Sequence, residues 1–182
     1  MRQLRPMDDH DNSRALTIIY ATESGGAQDA ANKIARRCRN LNFECRNINI
    51  RDYPLVRFFA DSEQPVHLSD NVYEQSDLIH ETLIIFAVST TGSGQEPRSM
   101  TTLWNMLLRS DLPNDLLEDL HFAIFGLGDS SYEKFCWPAK KLSRRLVGLG
   151  ATQICNRGEG DDQHHFGSVL TRKSSLPVDS FC

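Results

Sequence analysis

Apolar residues in this chain follow two alternating rhythms. Near-continuous apolar runs of strand length occupy residues 15–20, 82–88 and 121–126, the pattern of strands covered on both faces. Between them, Ala27, Ala31, Ile34, Ala35, Cys38 and Leu41 recur at helical spacing, and Arg36, Arg37 and Arg39 lie near the C-terminal end, where the helix dipole favours cations. Residues 43–50 alternate as a second strand. Met100, Leu103, Trp104, Leu107 and Leu108 mark a further helix. Another carries Phe135, Ala139, Leu142, Leu146 and Leu149 on one face and ends at Gly148 and Gly150, with residues 152–156 as the last strand. Strand and helix alternate throughout, which predicts an α/β fold around a doubly wound, five-stranded parallel sheet. Residues 53–80 break the rhythm: this long polar connection contains Pro54 and Pro65 and room for a short helix at 55–59.

Sheets of this kind bind ligands beyond the carboxyl ends of their strands. Three of those turns are unusual. The first, Thr22, Glu23, Ser24, Gly25, Gly26 and Ala27, brings hydroxyls and free backbone N–H groups to a helix N-terminus, an arrangement that receives anions. It matches neither G-x-x-x-x-G-K-[ST] nor G-x-G-x-x-G, so a terminal phosphate would be held by N–H and O–H donors without a lysine. The same residues also fit a plain glycine turn capped by Thr22 or Ser24. The second turn, STTGSGQEP, opens with Ser89, Thr90, Thr91 and Gly92, whose hydroxyls and glycine allow close approach to the edge of a flat ligand; a simple mobile loop would read the same. The third, GLGDSSYEKF, adds an aromatic: Tyr132 either covers one face of a planar ring or packs half-buried on its own fold.

Composition narrows the class. The chain has 182 residues, is 40% hydrophobic and 24% charged, and carries a net charge of −4, which fits one soluble domain and disfavours a nucleic-acid surface. The N-terminal MRQLRPMDDHDNS has no signal-peptide core, and nothing approaches a membrane span. Cys38, Cys45, Cys136, Cys155 and Cys182 form no CxxC pair and read as reduced thiols of a cytoplasmic protein. His164 and His165 beside Asp161 and Asp162 suggest metal ligands at first sight, but adjacent histidines point apart on a regular backbone, so no metal is expected.

The phosphate-type first turn, STTGSG, FGLGDSSYEKF and the following GEGDDQH together resemble the FMN-binding, flavodoxin-like domain of diflavin reductases. They are most similar to the NADPH-dependent diflavin oxidoreductases of cytosolic iron–sulfur protein assembly. The resemblance implies strand order 2-1-3-4-5 and a folded unit over residues 14–167, preceded by a flexible stretch at 1–13 and followed by a divergent, disordered tail at 168–182. It implies FMN as cofactor, with its phosphate on Thr22, Glu23, Ser24, Gly25, Gly26 and Ala27. The ring would lie between Ser89, Thr90, Thr91 and Gly92 on one side and Leu127, Gly128, Asp129, Ser130, Ser131, Tyr132, Glu133, Lys134, Phe135 and Cys136 on the other. Tyr132 would stack on the ring and Asp162 would lie near it. Gly92 matches a glycine whose peptide reorients toward the reduced flavin in related proteins. Asp162 and Asp129 are candidates for tuning the potential downward. No side chain is implied as acid, base or nucleophile. The implied partners are an FAD/NADPH reductase module and an iron–sulfur protein of the anamorsin type, and Asp111, Asp115, Glu118, Asp119 and Asp161 could steer a basic surface.

The departures are specific. Ser24 and Gly26 replace the usual threonine and asparagine or threonine, Thr91 stands where some members place a second stacking aromatic, and Cys136 replaces asparagine. Past Gly167 the sequence runs SVLTRKSSLPVDSFC instead of the family's tryptophan-bearing helix, and no FAD- or NADPH-binding half follows, as expected for a truncated product. Two competing readings stay open: a flavin-free interaction or regulatory module, and a dinucleotide-binding domain with Asp52 gripping a ribose. The missing G-x-G-x-x-G counts against the second.

Overall fold

The computed structural model describes residues 14–54 and 78–164. The expected helix at 55–59, residues 1–13, His165 and the tail at 168–182 lie outside the described residues. The chain folds as β1 (Arg14–Ala21), α1 (Gly26–Asn40), β2 (Phe43–Asn49), β3 (Leu83–Ser89), a 3-10 turn (Arg98–Met100) leading into α2 (Thr101–Leu107), β4 (His121–Gly128), α3 (Trp137–Gly148), β5 (Thr152–Gln153) and β6 (Gly158–Asp161). Every pairing between strands is parallel, and the order is β2-β1-β3-β4-β5, as expected from the sequence.

Alternation along the central strands feeds two cores, one on each face of the sheet. Ile19, Ile84, Phe86, Phe122 and Ile124 meet Leu103 and Leu107 of α2 and Leu142 and Leu146 of α3. Ile18, Ile85, Ala87, Ala123 and Phe125 meet α1 through Ala27, Ala31 and Ala35, three small residues that let the helix lie close to the sheet. Phe86 and Phe122 are fully buried, and each such side chain contributes about 1.5–3 kcal/mol of apolar transfer free energy. At the amino end of the sheet, Glu81 accepts hydrogen bonds from Thr17 Oγ1 at 2.7 Å, from Arg46 Nη2 at 2.5 Å and from the Tyr53 hydroxyl at 3.3 Å. This ties β1, β2 and the approach to β3 together, at the end opposite the unusual turns.

The last strand departs from expectation. Instead of one strand over 152–156, two short segments pair with the same neighbour: Thr152 and Gln153 lie opposite His121 and Phe122, while Gly158 to Asp161 lie opposite Phe125 to Gly128. Residues 154–157 therefore face only Ala123 and Ile124, an insertion of the β-bulge kind. Glycines at 158 and 160 hid the second segment, because they carry no apolar signal. The bulge is what carries GEGD up to the level of Gly128.

Gly126 shows how tightly the α3 side is closed. A Cβ there would come within 2.8 Å of Ala139 Cβ and 3.1 Å of Cys136 Cβ. Replacing Gly126 with Ala should therefore push α3 off β4 and destabilise the protein by about 1–3 kcal/mol, read as a lowered midpoint in urea unfolding.

Candidate functional site

The three unusual turns all leave the carboxyl edge of the sheet. Ala21 is paired with Val88, Ser89 with Leu127, and Gly128 with Asp161, so the chain leaves the four strands at nearly one level. The turns are further joined by bonds between them.

In the first turn, Thr22 Oγ1 accepts the Gly25 N–H at 2.9 Å and the Ser89 hydroxyl at 3.3 Å. Gly25 is the N-cap of α1, in the left-handed region at φ 95°, and makes no side-chain cap bond. Neither Thr22 nor Ser24 is the N-cap of α1, and among the described residues no side chain bonds at that cap. Ser24 is exposed and Ala27 fully buried against the sheet. Glu23 points elsewhere: its Oε1 accepts the Arg98 N–H at 2.5 Å, which clasps the first turn to the end of the second.

The second turn is well held rather than loose. Thr91 and Gln95 exchange backbone bonds of 2.9 Å in both directions, and the Thr91 hydroxyl is shared between the Gln95 and Glu96 carbonyls at 3.1 and 3.2 Å. Glu96 is paired with Lys141 of α3 at 2.8 Å, and that bond holds its carboxyl below the ordinary range. Gly92, at φ 46°, has open space around it. The Thr90 N–H donates to Leu127 O at 2.8 Å, whereas Thr90 Oγ1 is buried with no hydrogen-bond partner among the described residues.

In the third turn Asp129 accepts from Ser131 N at 2.8 Å, Ser131 Oγ at 2.6 Å and Gln163 Nε2 at 2.9 Å. The Ser131 bonds, foremost, hold its carboxyl below the ordinary range. Tyr132 is 61% exposed, which rules out the packed alternative for its ring. Glu133 and Lys134 are exposed, Phe135 lies under Lys140 at 5.6 Å, and Leu127 has its side chain in the α1-side core. Cys136 is completely buried as the left-handed N-cap of α3 at φ 50°, and burial, then the Glu159 carboxylate, pushes its thiol up to about 12. Asp162 is exposed, and its N–H donates to Gly128 O at 2.9 Å.

A family model described as flavodoxin matches residues 59–168. The chain belongs to the flavodoxin family. Its curated relatives include NADPH-dependent diflavin oxidoreductase 1 of Mycosarcoma maydis, 41% identical over 92% of this chain and 22% of that protein, and its Bos taurus and Arabidopsis thaliana counterparts, each 36% identical over 85% and 86% of the chain. The chain thus spans about a fifth of the length of these oxidoreductases. Oxidised flavodoxin 1 from Bacillus cereus shares the fold with a TM-score of 0.60 at 23% identity, over 81% of this chain and 84% of that one. The Streptococcus pneumonia TIGR4 flavodoxin shares it with a TM-score of 0.58 at 21% identity, over 79% and 81% of the two chains.

The cofactor of a flavodoxin domain is FMN, and the residues here suit it. The uncapped helix start at Gly25 suits a phosphate and the exposed Tyr132 suits a ring face. Thr91, turned into its own loop, offers no second stacking surface. One residue of this flavodoxin was underrated in the sequence: Asp161, whose Oδ1 accepts the Ser130 N–H at 2.9 Å and the Gln163 N–H at 3.1 Å, braces the third turn more directly than Asp162. Alternation from Gly158 and Gly160, both buried, would have pointed to it. Among the described residues no group of three His, Cys, Asp or Glu could hold a metal.

Two outcomes follow from these environments. The Cys136 thiol should resist Ellman's reagent at mildly alkaline pH and react fully only after unfolding in urea, because burial disfavours its thiolate. Asp129 and Asp161 both have folded-state pKa values below the ordinary one. Their contribution is complete above the unfolded value of about 3.9 and is lost as pH falls through the lower folded value. Thermal melts should thus lose stability below about pH 4, and Asp129→Asn should show a smaller acid-dependent loss.

Proposed function

We propose that this chain is the FMN-binding electron-transfer domain of a diflavin oxidoreductase. In this reading residues 14–167 form the flavin unit, the first turn receives the phosphate, and the ring lies between the second and third turns with Tyr132 on one face. Ser89, Thr90 and Gly92 present hydroxyls and backbone to its edge. Gly128 keeps that space narrow, since a Cβ there would lie 3.2 Å from both Thr90 Oγ1 and Phe135 Cδ2. FMN, when bound, would supply the redox chemistry between an FAD/NADPH reductase module and a one-electron acceptor. This chain's residues bind and orient it, and NADPH oxidation belongs to the reductase module. The acceptor is an iron–sulfur protein of the anamorsin type, in cytoplasmic iron–sulfur cluster assembly. No helix of the described residues is long and apolar enough to cross a membrane.

The observation that carries this reading is the start of α1, where the left-handed N-cap Gly25 makes no side-chain bond and leaves a phosphate-type site at the same sheet edge as the exposed Tyr132.

The purified protein should carry, or take up from solution, one FMN per chain, with a flavin visible spectrum and FMN identified on release. Tyr132→Ala should weaken FMN binding by about three- to tenfold, the equivalent of the stacking term of about 0.5–1.5 kcal/mol, measured by quenching of flavin fluorescence. Protein that neither holds nor takes up FMN would make the chain a flavin-free interaction module.

A further inference from the structure

A groove of about 550 Å³ runs between the second turn and the start of α3. Its walls carry Arg98, Lys134 and Lys141, a single carboxylate at Glu96, and the indole of Trp137. Lys134 of the third turn lines it but Thr22, Thr90, Gly92 and Tyr132 do not, so the groove adjoins the flavin cleft along that one wall.

The charges in this groove are not equivalent. Lys141 is taken by Glu96 at 2.8 Å and also lies over the Trp104 ring at 5.1 Å. Arg98 and Lys134 form no salt bridge among the described residues. Arg98 has its backbone N–H fixed by Glu23, which holds the residue in place while its guanidinium is exposed. Lys134 is held by Gly94: at φ 92°, Gly94 fits so closely against the lysine's aliphatic stem that any Cβ there would overlap it. Two cations without a salt bridge among the described residues thus line this groove, in a chain whose net charge is −4. Trp137, 38% exposed, adds a flat apolar surface beside them.

We propose that this groove docks an acidic segment of the electron-accepting protein. The proposal rests on the electron-transfer reading above and names how the acceptor would be recognised. Carboxylates suit Arg98 in particular, because a guanidinium accepts them in a two-pronged geometry. A protein segment fits better than a free small anion. The exposed walls leave the groove open, whereas small-ligand pockets bury about 70–90% of their guest. Gly94 shares its tight turn with Gly92, so a segment seated here would bring its parent protein beside the second turn. The acidic residues Asp111, Asp115, Glu118 and Asp119 lie between α2 and β4, outside the groove. Negative charge there and positive charge here would orient a partner rather than simply attract it.

The probe is a fluorescein-labelled oligoglutamate, titrated into the purified protein with and without added FMN. Binding should be seen in both forms and should weaken as salt is raised. Arg98→Glu keeps the backbone N–H that Glu23 holds and should weaken the peptide about tenfold or more, while its FMN spectrum and FMN affinity stay those of the parent. Asp119→Lys, outside the groove, should leave peptide binding as tight or tighter. The inference is overturned if oligoglutamate does not bind at low salt, if Arg98→Glu binds it as well as the parent, or if adenosine monophosphate occupies the groove in its place and shifts Trp137 fluorescence. Loss of FMN uptake by the parent protein would instead sink the electron-transfer reading, and peptide binding by the flavin-free form would still report on the groove.

Discussion

Everything at the candidate site depends on the register of four parallel strands. Because Ala21 pairs with Val88, Ser89 with Leu127 and Gly128 with Asp161, the sheet stops along one line, and each chain leaves it with unsatisfied backbone groups. Those groups have to find partners in the turns or in a ligand. Thr90 N to Leu127 O, Asp162 N to Gly128 O and Gly25 N to Thr22 Oγ1 show the turns partly answering that demand. What they leave unanswered at the start of α1 is where a cofactor's phosphate would complete the bonding.

The site is stiffened by contacts that do not belong to it. Glu23 on Arg98 N–H, Glu96 on Lys141 and Gly94 against Lys134 join the first turn, the second turn and α3 into one assembly. A surface ion pair such as Glu96–Lys141 adds little to global stability. Its effect is local: it limits how far the second turn can drift from the helix. Gly92, at φ 46°, is the residue of that turn at which a Cβ would meet nothing within 4 Å.

Much of this was written in the apolar rhythm. The central strands announce themselves because both faces are covered, and α1 and α3 do so through spacing that the dipole and glycine stops reinforce. The fifth strand was half legible. Residues 152 and 153 fall within the expected strand at 152–156, but Gly158 to Asp161 was not expected as a strand, because a glycine-rich edge strand has no hydrophobic pattern to show. Within the site, the residue types were readable and their directions were not. Glu23 reads as a phosphate-loop residue yet spends its carboxylate on Arg98, and Thr91 turns its hydroxyl into its own loop. Leu127 sits in the core beneath Gly26, and only Gly128 beside it reaches the narrow space by Thr90. Such choices are settled by long-range packing, which no local window contains.

The interruption at residues 154–157 has a consequence beyond the site. An open sheet ends in strands whose free N–H and C=O groups invite other chains to pair with them. Among the described residues, one side of the sheet ends in β2, where Glu44 and Arg46 are exposed along the strand. On the other side, among the described residues, the edge is a two-residue piece and a four-residue piece set out of step by the inserted residues. An incoming strand would find neither a continuous ladder nor a constant register to copy, so the bend that lifts Asp161 into place also defends this flank of the sheet against aggregation.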